Sequence, residues 1–424
     1  MNDLVKGLGT LCVHAGYDAS SDVAGAATVP IYQTAAYVFK DGRHAAALFN
    51  LDEEGHIYSR ISNPTVEVFE KRMAALEGGK AAVALSSGMA AIFSTILNLA
   101  SAGDEIISSP NLYGGTYTLF SIDLPKLGIE VKFAPTTAVE DVEKLITPRT
   151  RALYAEVIGN PRLDVLDIEA WAKLAHKHRV PLVLDSTFAT PYLCRPFEFG
   201  ADIVIHSTTK FIGGHGLVIG GIVVDSGRFD WKAGRFKQFC EPEPAYHDIR
   251  FTDRFEAPFA ARLRSILVRD LGACMAPFNA FLLLLGLETL HLRMERHCAN
   301  AKAIAEFLAS HPKVSWVNYP GLKGSPYHDL CEKYFNGKGG AMLTFGMKGG
   351  KDASARTVDR LRLAKHLANL GDARTLVIQP ATTTHQQLTA QEQEMAGVTP
   401  DMIRVSAGIE DTEDILRDFE QALA

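Results

Sequence analysis

Short, almost wholly apolar runs recur along the first half of the chain. They are KAAVAL (80–85), DEIISS (104–109), EVKFAP (130–135), RALYAEV (151–157), VPLVLDS (180–186) and ADIVIHS (201–207). None alternates cleanly between apolar and polar, which is the pattern of strands buried on both faces. Helical patterns separate them. In DIEAWAKLAHKHR (167–179), Ile168, Trp171, Leu174 and Ala175 share one face, and Asp167 stands as an N-cap. The repetition of strand, helix and strand predicts right-handed βαβ crossovers and a mainly parallel sheet.

The texture changes further on. Residues 272–310 are helical in pattern, with Pro277 expected to start or kink the helix. After them GGAMLTFGM (339–347), RTLVIQP (374–380) and MIRVSAGI (402–409) read as strands alternating with helices. The expected organisation is an extended N-terminal arm (1–60), an α/β domain (61–272) and a smaller α+β domain (273–424). Segment 226–262, rich in aromatics, proline and charge, is expected to be a surface insertion in the α/β domain.

Composition narrows the class. The chain has 424 residues, 47% hydrophobic and 22% charged, which excludes a disordered or collagen-like chain and gives ample volume for large cores. The net charge of −6 offers no electrostatic reason to bind nucleic acid or an anionic membrane. Cys12, Cys194, Cys240, Cys274, Cys298 and Cys331 are scattered without a CxxC pair, so a reducing compartment and no metal site are expected. His297-Cys298 lacks a second ligand pair and reads as helix packing. The densest apolar stretch, AFLLLLGL (280–287), is too short to cross a bilayer, and the N-terminus lacks a secretory pattern. A cytoplasmic protein is expected.

Three features could carry chemistry, and all fall at the ends of predicted parallel strands, where open α/β sheets bind ligands. In SSGMAA (86–91) a strand runs through two serines and a glycine into a helix. The first helical amides there point outward, an arrangement suited to phosphate, although a plain serine-capped turn has the same sequence. Asp185 closes a buried strand and needs a positive or hydrogen-bonding partner, or serves only to cap the next loop. In HSTTKFIGGHG (206–216) hydroxyls surround Lys210 at a glycine-loosened turn. A lysine in a partly dry site sheds its charge and becomes a nucleophile; alone, it could equally be a surface lysine. Together, a phosphate cradle, a strand-end carboxylate and a lysine on the next strand are what pyridoxal phosphate requires. No G-x-G-x-x-G or Walker lysine follows the first strand, which disfavours dinucleotides and nucleoside triphosphates. His206 and His215 flank the lysine but read as a packed strand-end residue and a turn residue.

With these motifs the whole chain resembles the Cys/Met-metabolism family of pyridoxal-phosphate enzymes, the cystathionine γ-synthase group of fold type I. That fold implies a mainly parallel sheet of seven-stranded type flanked by helices, with a smaller C-terminal α+β domain. The resemblance implies that Lys210 is the Schiff-base lysine and Asp185 the partner of the ring nitrogen. Ser87, Gly88, Met89, Ser207 and Thr209 match phosphate-binding positions. Tyr113, in LYGGTYTLF, matches the tyrosine stacked on the ring, with a further catalytic role left open. Thr187 matches the residue packed on the ring's other face, and Asn160 the asparagine near its hydroxyl. Tyr58 and Arg60, in YSRISNPT, match a pair that reaches the phosphate of a neighbouring subunit, implying a dimer at least and commonly a tetramer. Arg404, in RVSAGIED, matches the clamp for the substrate carboxylate; Tyr58, Asn160 and Thr382 join it as expected substrate contacts.

Within the family the chain is most similar to the branch that sulfhydrylates O-acetylhomoserine. NLGDARTLVIQPATTTH (369–385), the 226–262 insertion and APFNAFLLLLGLETLHLRMERHC carry that likeness. Gln379 stands where His is usual and Thr382 where Ser is frequent, both expected near the substrate pocket. The resemblance implies exchange of acetate for sulfide, or for methanethiol, at the γ-carbon. The alternatives are γ-synthase or γ-lyase activity, an O-succinylhomoserine substrate, or, more remotely, a non-catalytic binding protein of this fold.

Overall fold

A computed structural model describes residues 7–233, 235–246, 248–384, 386, 389, 393 and 397–424. The end of the 369–385 motif, His385, lies outside the described residues, as do residues 1–6 of the expected arm.

All six predicted runs form strands: β1 (Ala81–Leu85), β2 (Glu105–Ser108), β3 (Glu130–Phe133), β4 (Thr150–Glu156), β5 (Leu182–Asp185) and β6 (Ile203–Ser207). A seventh, β7 (Gly221–Asp225), was not anticipated. The order is β1-β7-β6-β5-β4-β2-β3, and β7 alone runs antiparallel to its neighbours. Successive residues face opposite cores. Leu153 and Leu184 pack on one side with Trp171, whereas Tyr154 and Val183 pack on the other with Ile92 and Phe120. Burial on both faces is why the strands read as unbroken apolar runs.

The second sheet comprises β8 (Val314–Asn318), β9 (Met342–Met347), β10 (Lys365–His366), β11 (Leu376–Ile378) and β12 (Met402–Ser406), in the order β10-β11-β12-β9-β8. It has its own core, in which Phe345, Ile403 and Phe419 are fully buried. The helix predicted over 272–310 is two helices. Pro277 opens the first, Pro277–Glu288, and the second, Leu290–Ser310, begins after a break at Thr289.

Two expectations need correction. The N-terminal segment is not extended throughout: Leu8–His14 is helical, and Cys12 joins the main core with Leu8 and Leu11 against it. The 226–262 segment is more than surface. Trp231, Phe236, Phe239 and Phe259 are buried in the core beneath the sheet, with Trp231 lying 4.5 Å from Phe239, ring centre to ring centre. Aromatic area of this size is worth several kcal/mol only when covered, so the segment folds inward as a lid on that face.

Helix Leu290–Ser310 carries a buried polar stripe at i, i+4 and i+7. Arg293 donates to the carbonyls of Phe211 (2.7 Å), Ile212 (3.3 Å) and Gly286 (2.6 Å). His297 donates from Nδ1 to Ala407 O (2.6 Å), and its ring meets Phe211 edge-on. Asn300 donates to the carbonyls of Gly408 and Glu410. One helix thus fixes both the turn after β6 and the chain leaving β12. No described helix is long and apolar enough to cross a membrane, and no described cluster of His, Cys, Asp and Glu could hold a metal ion.

Burial pushes His297 down to about 4. The unfolded chain then takes up a proton below pH ~6.5 that the folded chain refuses, so stability falls as the pH drops from ~6.5 toward 4. His297→Leu should cost about 1–3 kcal/mol at pH 7.5 through the orphaned carbonyl. It should also remove this acid sensitivity, so that the gap to the parent narrows by about 2 kcal/mol at pH 5. Urea unfolding at the two pH values checks this; an unchanged gap would show that His297 is charged in the fold.

Candidate active site

Strands β4, β5 and β6 end side by side. Asp185 is in register with Glu156 on one side and Ile205 on the other. The alternation puts Glu156, Asp185 and Ser207 on one face. His206 points to the opposite face, fully buried, with Nε2 2.5 Å from Glu77 Oε1.

After β6 the chain turns tightly, with Lys210 N–H donating to Ser207 O. The half-buried Lys210 amine donates to Asn369 Oδ1 at 2.7 Å. Burial first, and the nearby Arg404 guanidinium second, lower its pKa to about 8. A lysine in that state yields a free amine near neutral pH.

Arg404 reaches the same space from β12. It is 5% exposed and donates to Asn160 Oδ1 at 3.1 Å, and burial lowers its pKa to about 10. It is close enough to Tyr113 for the two to interact electrostatically. The Tyr113 ring is 49% exposed, a large aromatic surface at the mouth of the site. Gly115 leaves room for it: a Cβ there would stand 2.6 Å from the ring and 3.4 Å from Met89 Sδ. The Tyr113 main-chain N–H donates to Glu156 Oε1 at 2.6 Å.

Asp185 accepts from Thr187 N–H (2.9 Å) and Oγ1 (2.5 Å) through one oxygen, and Thr187 Oγ1 accepts from Ser207 N–H. Burial raises the Asp185 carboxyl above its usual range. No described Lys or Arg pairs with it. An external cation is the partner this environment lacks.

The anion cradle follows β1. Ser87 caps helix Gly88–Leu99, accepting from Ala90 N–H at 3.0 Å, and its carbonyl takes Ala91 N–H. The amides of Gly88 and Met89 meet no acceptor among the described residues, and they lie at the positive end of a helix. Gly88 packs so closely on Ser207 that a Cβ would come within 2.6 Å of its side chain. Thr209 lies in the same turn. Its hydroxyl donates to Gly220 O (3.2 Å) and accepts from Gly220 N–H (3.1 Å), so its proton is committed within the chain.

Four more expected residues make their contacts outside this cluster. Arg60 donates to Arg269 O and stacks 5.3 Å from the Tyr58 ring; neither touches the Lys210 group within one chain. Gln379 is 5% exposed and donates to Lys351 O and Pro400 O, and Thr382 Oγ1 turns to Gln379. These two side chains brace the smaller sheet's loops. Two residues went unnoticed in the sequence. Asn369 lay within a motif read only as a branch marker. Glu156 ends an apolar strand as Asp185 does, and that signal could have found it.

The residues present fit a pyridoxal phosphate group. A half-buried amine, a strand-end carboxyl without a cationic partner, unpaired helix amides beside a serine and an exposed aromatic ring lie together. The comparisons with known proteins agree. The family described as Cys/Met metabolism PLP-dependent enzyme matches residues 9–424. The chain is 53% identical over 418 residues to a homocysteine synthase of Schizosaccharomyces pombe, covering 98% of this chain and 97% of that protein. It is 51% identical over 418 residues to O-acetyl-L-homoserine sulfhydrylase 1 of Thermus thermophilus, covering 98% and 99%. The crystal structure of a putative O-acetylhomoserine (thiol)-lyase from Campylobacter jejuni, with N'-pyridoxyl-lysine-5'-monophosphate, superposes with a TM-score of 0.96. That chain is 40% identical, and the match covers 99% of this chain and 100% of that one. Together with the two-sheet architecture and the clustered strand ends, these matches place the chain in the Cys/Met-metabolism family of pyridoxal-phosphate-dependent enzymes, with the type I fold.

Proposed function

We propose that the chain is an O-acetylhomoserine sulfhydrylase, converting O-acetyl-L-homoserine and hydrogen sulfide to L-homocysteine and acetic acid. The observation that carries this reading is the full-length likeness to relatives named for that reaction. It is supported by a site whose charges suit an α-amino acid. Pyridoxal phosphate, when bound, supplies an electron sink that makes the substrate's α- and β-protons removable.

The chain's own residues do the rest. Lys210 would be the covalent anchor, and its amine would take the α-proton and move protons between the α- and β-carbons. Asp185 holds the ring nitrogen protonated. Ser87, Ser207 and the amides of Gly88 and Met89 hold the phosphate, with Thr209 bracing Gly220. Tyr113 and Thr187 enclose the ring, and Asn160 serves both its hydroxyl and Arg404. Arg404 clamps the substrate carboxylate with a planar fork, and Asn160 fixes one of its nitrogens.

We also propose that Tyr58 and Arg60 act in a neighbouring subunit's site. Tyr58 is 41% exposed, and Ile31, Tyr32, Val38 and Phe49 are also exposed apolar side chains of the N-terminal segment, as a subunit contact requires. The described cysteines are all unpaired, which suits a cytoplasmic enzyme.

Borohydride treatment should fix the cofactor on Lys210, seen by peptide mass spectrometry, and Lys210→Ala should lose the visible band. A label on another lysine would overturn the anchor. With O-acetylhomoserine and sulfide the purified protein should release homocysteine and acetate; 2-oxobutyrate as the main product would replace the sulfhydrylase reading with a lyase. Arg404→Leu should lower kcat/KM by about 10- to 100-fold, as expected for losing charged hydrogen bonds to a carboxylate. Unchanged kcat/KM would place the clamp elsewhere.

A further inference from the structure

Glu156 sits among the site residues without a role so far. It ends β4 directly beside Asp185 of β5, on the same face; Glu156 is buried and Asp185 half-buried. Adjacent strands lie about 4.8 Å apart, so the two groups are neighbours. Glu156 Oε1 accepts the Tyr113 N–H at 2.6 Å, and the Asn160 main-chain N–H is near enough to the same carboxyl to favour its anion. Asn160 in turn orients Arg404. One side chain therefore joins the backbones that present the stacking tyrosine and the carboxylate clamp.

Two carboxyls side by side, one of them buried and neither with a cationic side chain against it, are not both charged. The groups around the pair decide which one is. Asp185 receives two hydrogen bonds from Thr187, and both favour its anion. Glu156 faces Asp185 and Asp164, and the phenol of Tyr154 adds no positive charge. No described Lys or Arg pairs with Glu156. Burial and both aspartates push its carboxyl well above the usual range.

We propose that Glu156 is a positioning residue that works protonated: its neutral carboxyl holds the Tyr113 and Asn160 backbones around the cofactor space and leaves the negative charge to Asp185. This rests on the cofactor-binding part of the proposed function and is independent of which acyl group leaves.

The test compares Glu156→Gln with Glu156→Leu in the full-length holoenzyme, reading cofactor retention and the visible band without substrate. The amide keeps a carbonyl acceptor and carries no charge, so Glu156→Gln should hold the cofactor within about threefold of the parent with an unshifted band. Glu156→Leu removes the acceptor and should release cofactor about tenfold faster or more. Equal loss in both variants would mean that the charge is needed and would overturn the proposal. Parent-like retention in the leucine variant would overturn it too. Should the leucine variant fail to fold, infrared difference spectra decide: a protonated-carboxyl stretch present in the parent and absent in Glu156→Gln supports the proposal, and its absence from the parent rejects it. A separate product assay tests the sulfhydrylase reading, so the two can fail independently.

Discussion

The site depends on keeping one amine dry. Lys210 follows a strand buried on both faces, and a turn there exposes main-chain carbonyls that water would otherwise solvate. Arg293 removes that need by taking the carbonyls of Phe211 and Ile212 inside the protein. A buried guanidinium is tolerable only when its hydrogen bonds are met, and here Gly286 O and Thr289 Oγ1 complete the set. Charge and carbonyls satisfy each other inside the protein, and the turn that carries Lys210 is fixed by them. Burial of the amine and the Arg404 charge then lower its affinity for a proton.

The other charges follow the same logic. Two cations, Lys210 and Arg404, come from opposite sheets, and two carboxyls, Asp185 and Glu156, come from adjacent strands. Arg404 lowers the affinity of Lys210 for a proton, and Asp185 raises that of Glu156. An anionic, amino-bearing substrate and a cationic ring relieve both tensions together. The free amides of Gly88 and Met89 add a third unmet demand, for an anion. Binding would remove mismatches that folding leaves in place.

Much of this was legible because burial writes itself into composition. Strands covered on both faces must be apolar, so a charged residue ending such a run, as at Asp185, stands out. Glu156 gave a weaker signal, because the apolar run continues past it through Val157 and Ile158. β7 escaped because its short run follows a glycine pair and abuts a segment read as an insertion. The helix Leu8–His14 is too short to show a period, and its burial depends on a core hundreds of residues away in places. The orientations of Gln379 and Thr382 depend on carbonyls of Lys351 and Pro400, which local sequence does not encode. The roles of Arg404 and Asn160 came from family likeness alone; their 3.1 Å contact is a fact of tertiary structure.

The polar stripe on helix Leu290–Ser310 bears on how such proteins can be recombined. A cut near residue 272 looks natural on the chain, because the larger sheet is complete by then. Yet Arg293 serves the turn after β6, while His297 and Asn300 serve the segment after β12. A chimera joining one parent's first half to another's second half would inherit both sockets and only one plug. Exchanges that keep this helix together with the 206–216 turn and the residues after β12 preserve the fit; those that divide them leave buried donors and acceptors unmatched.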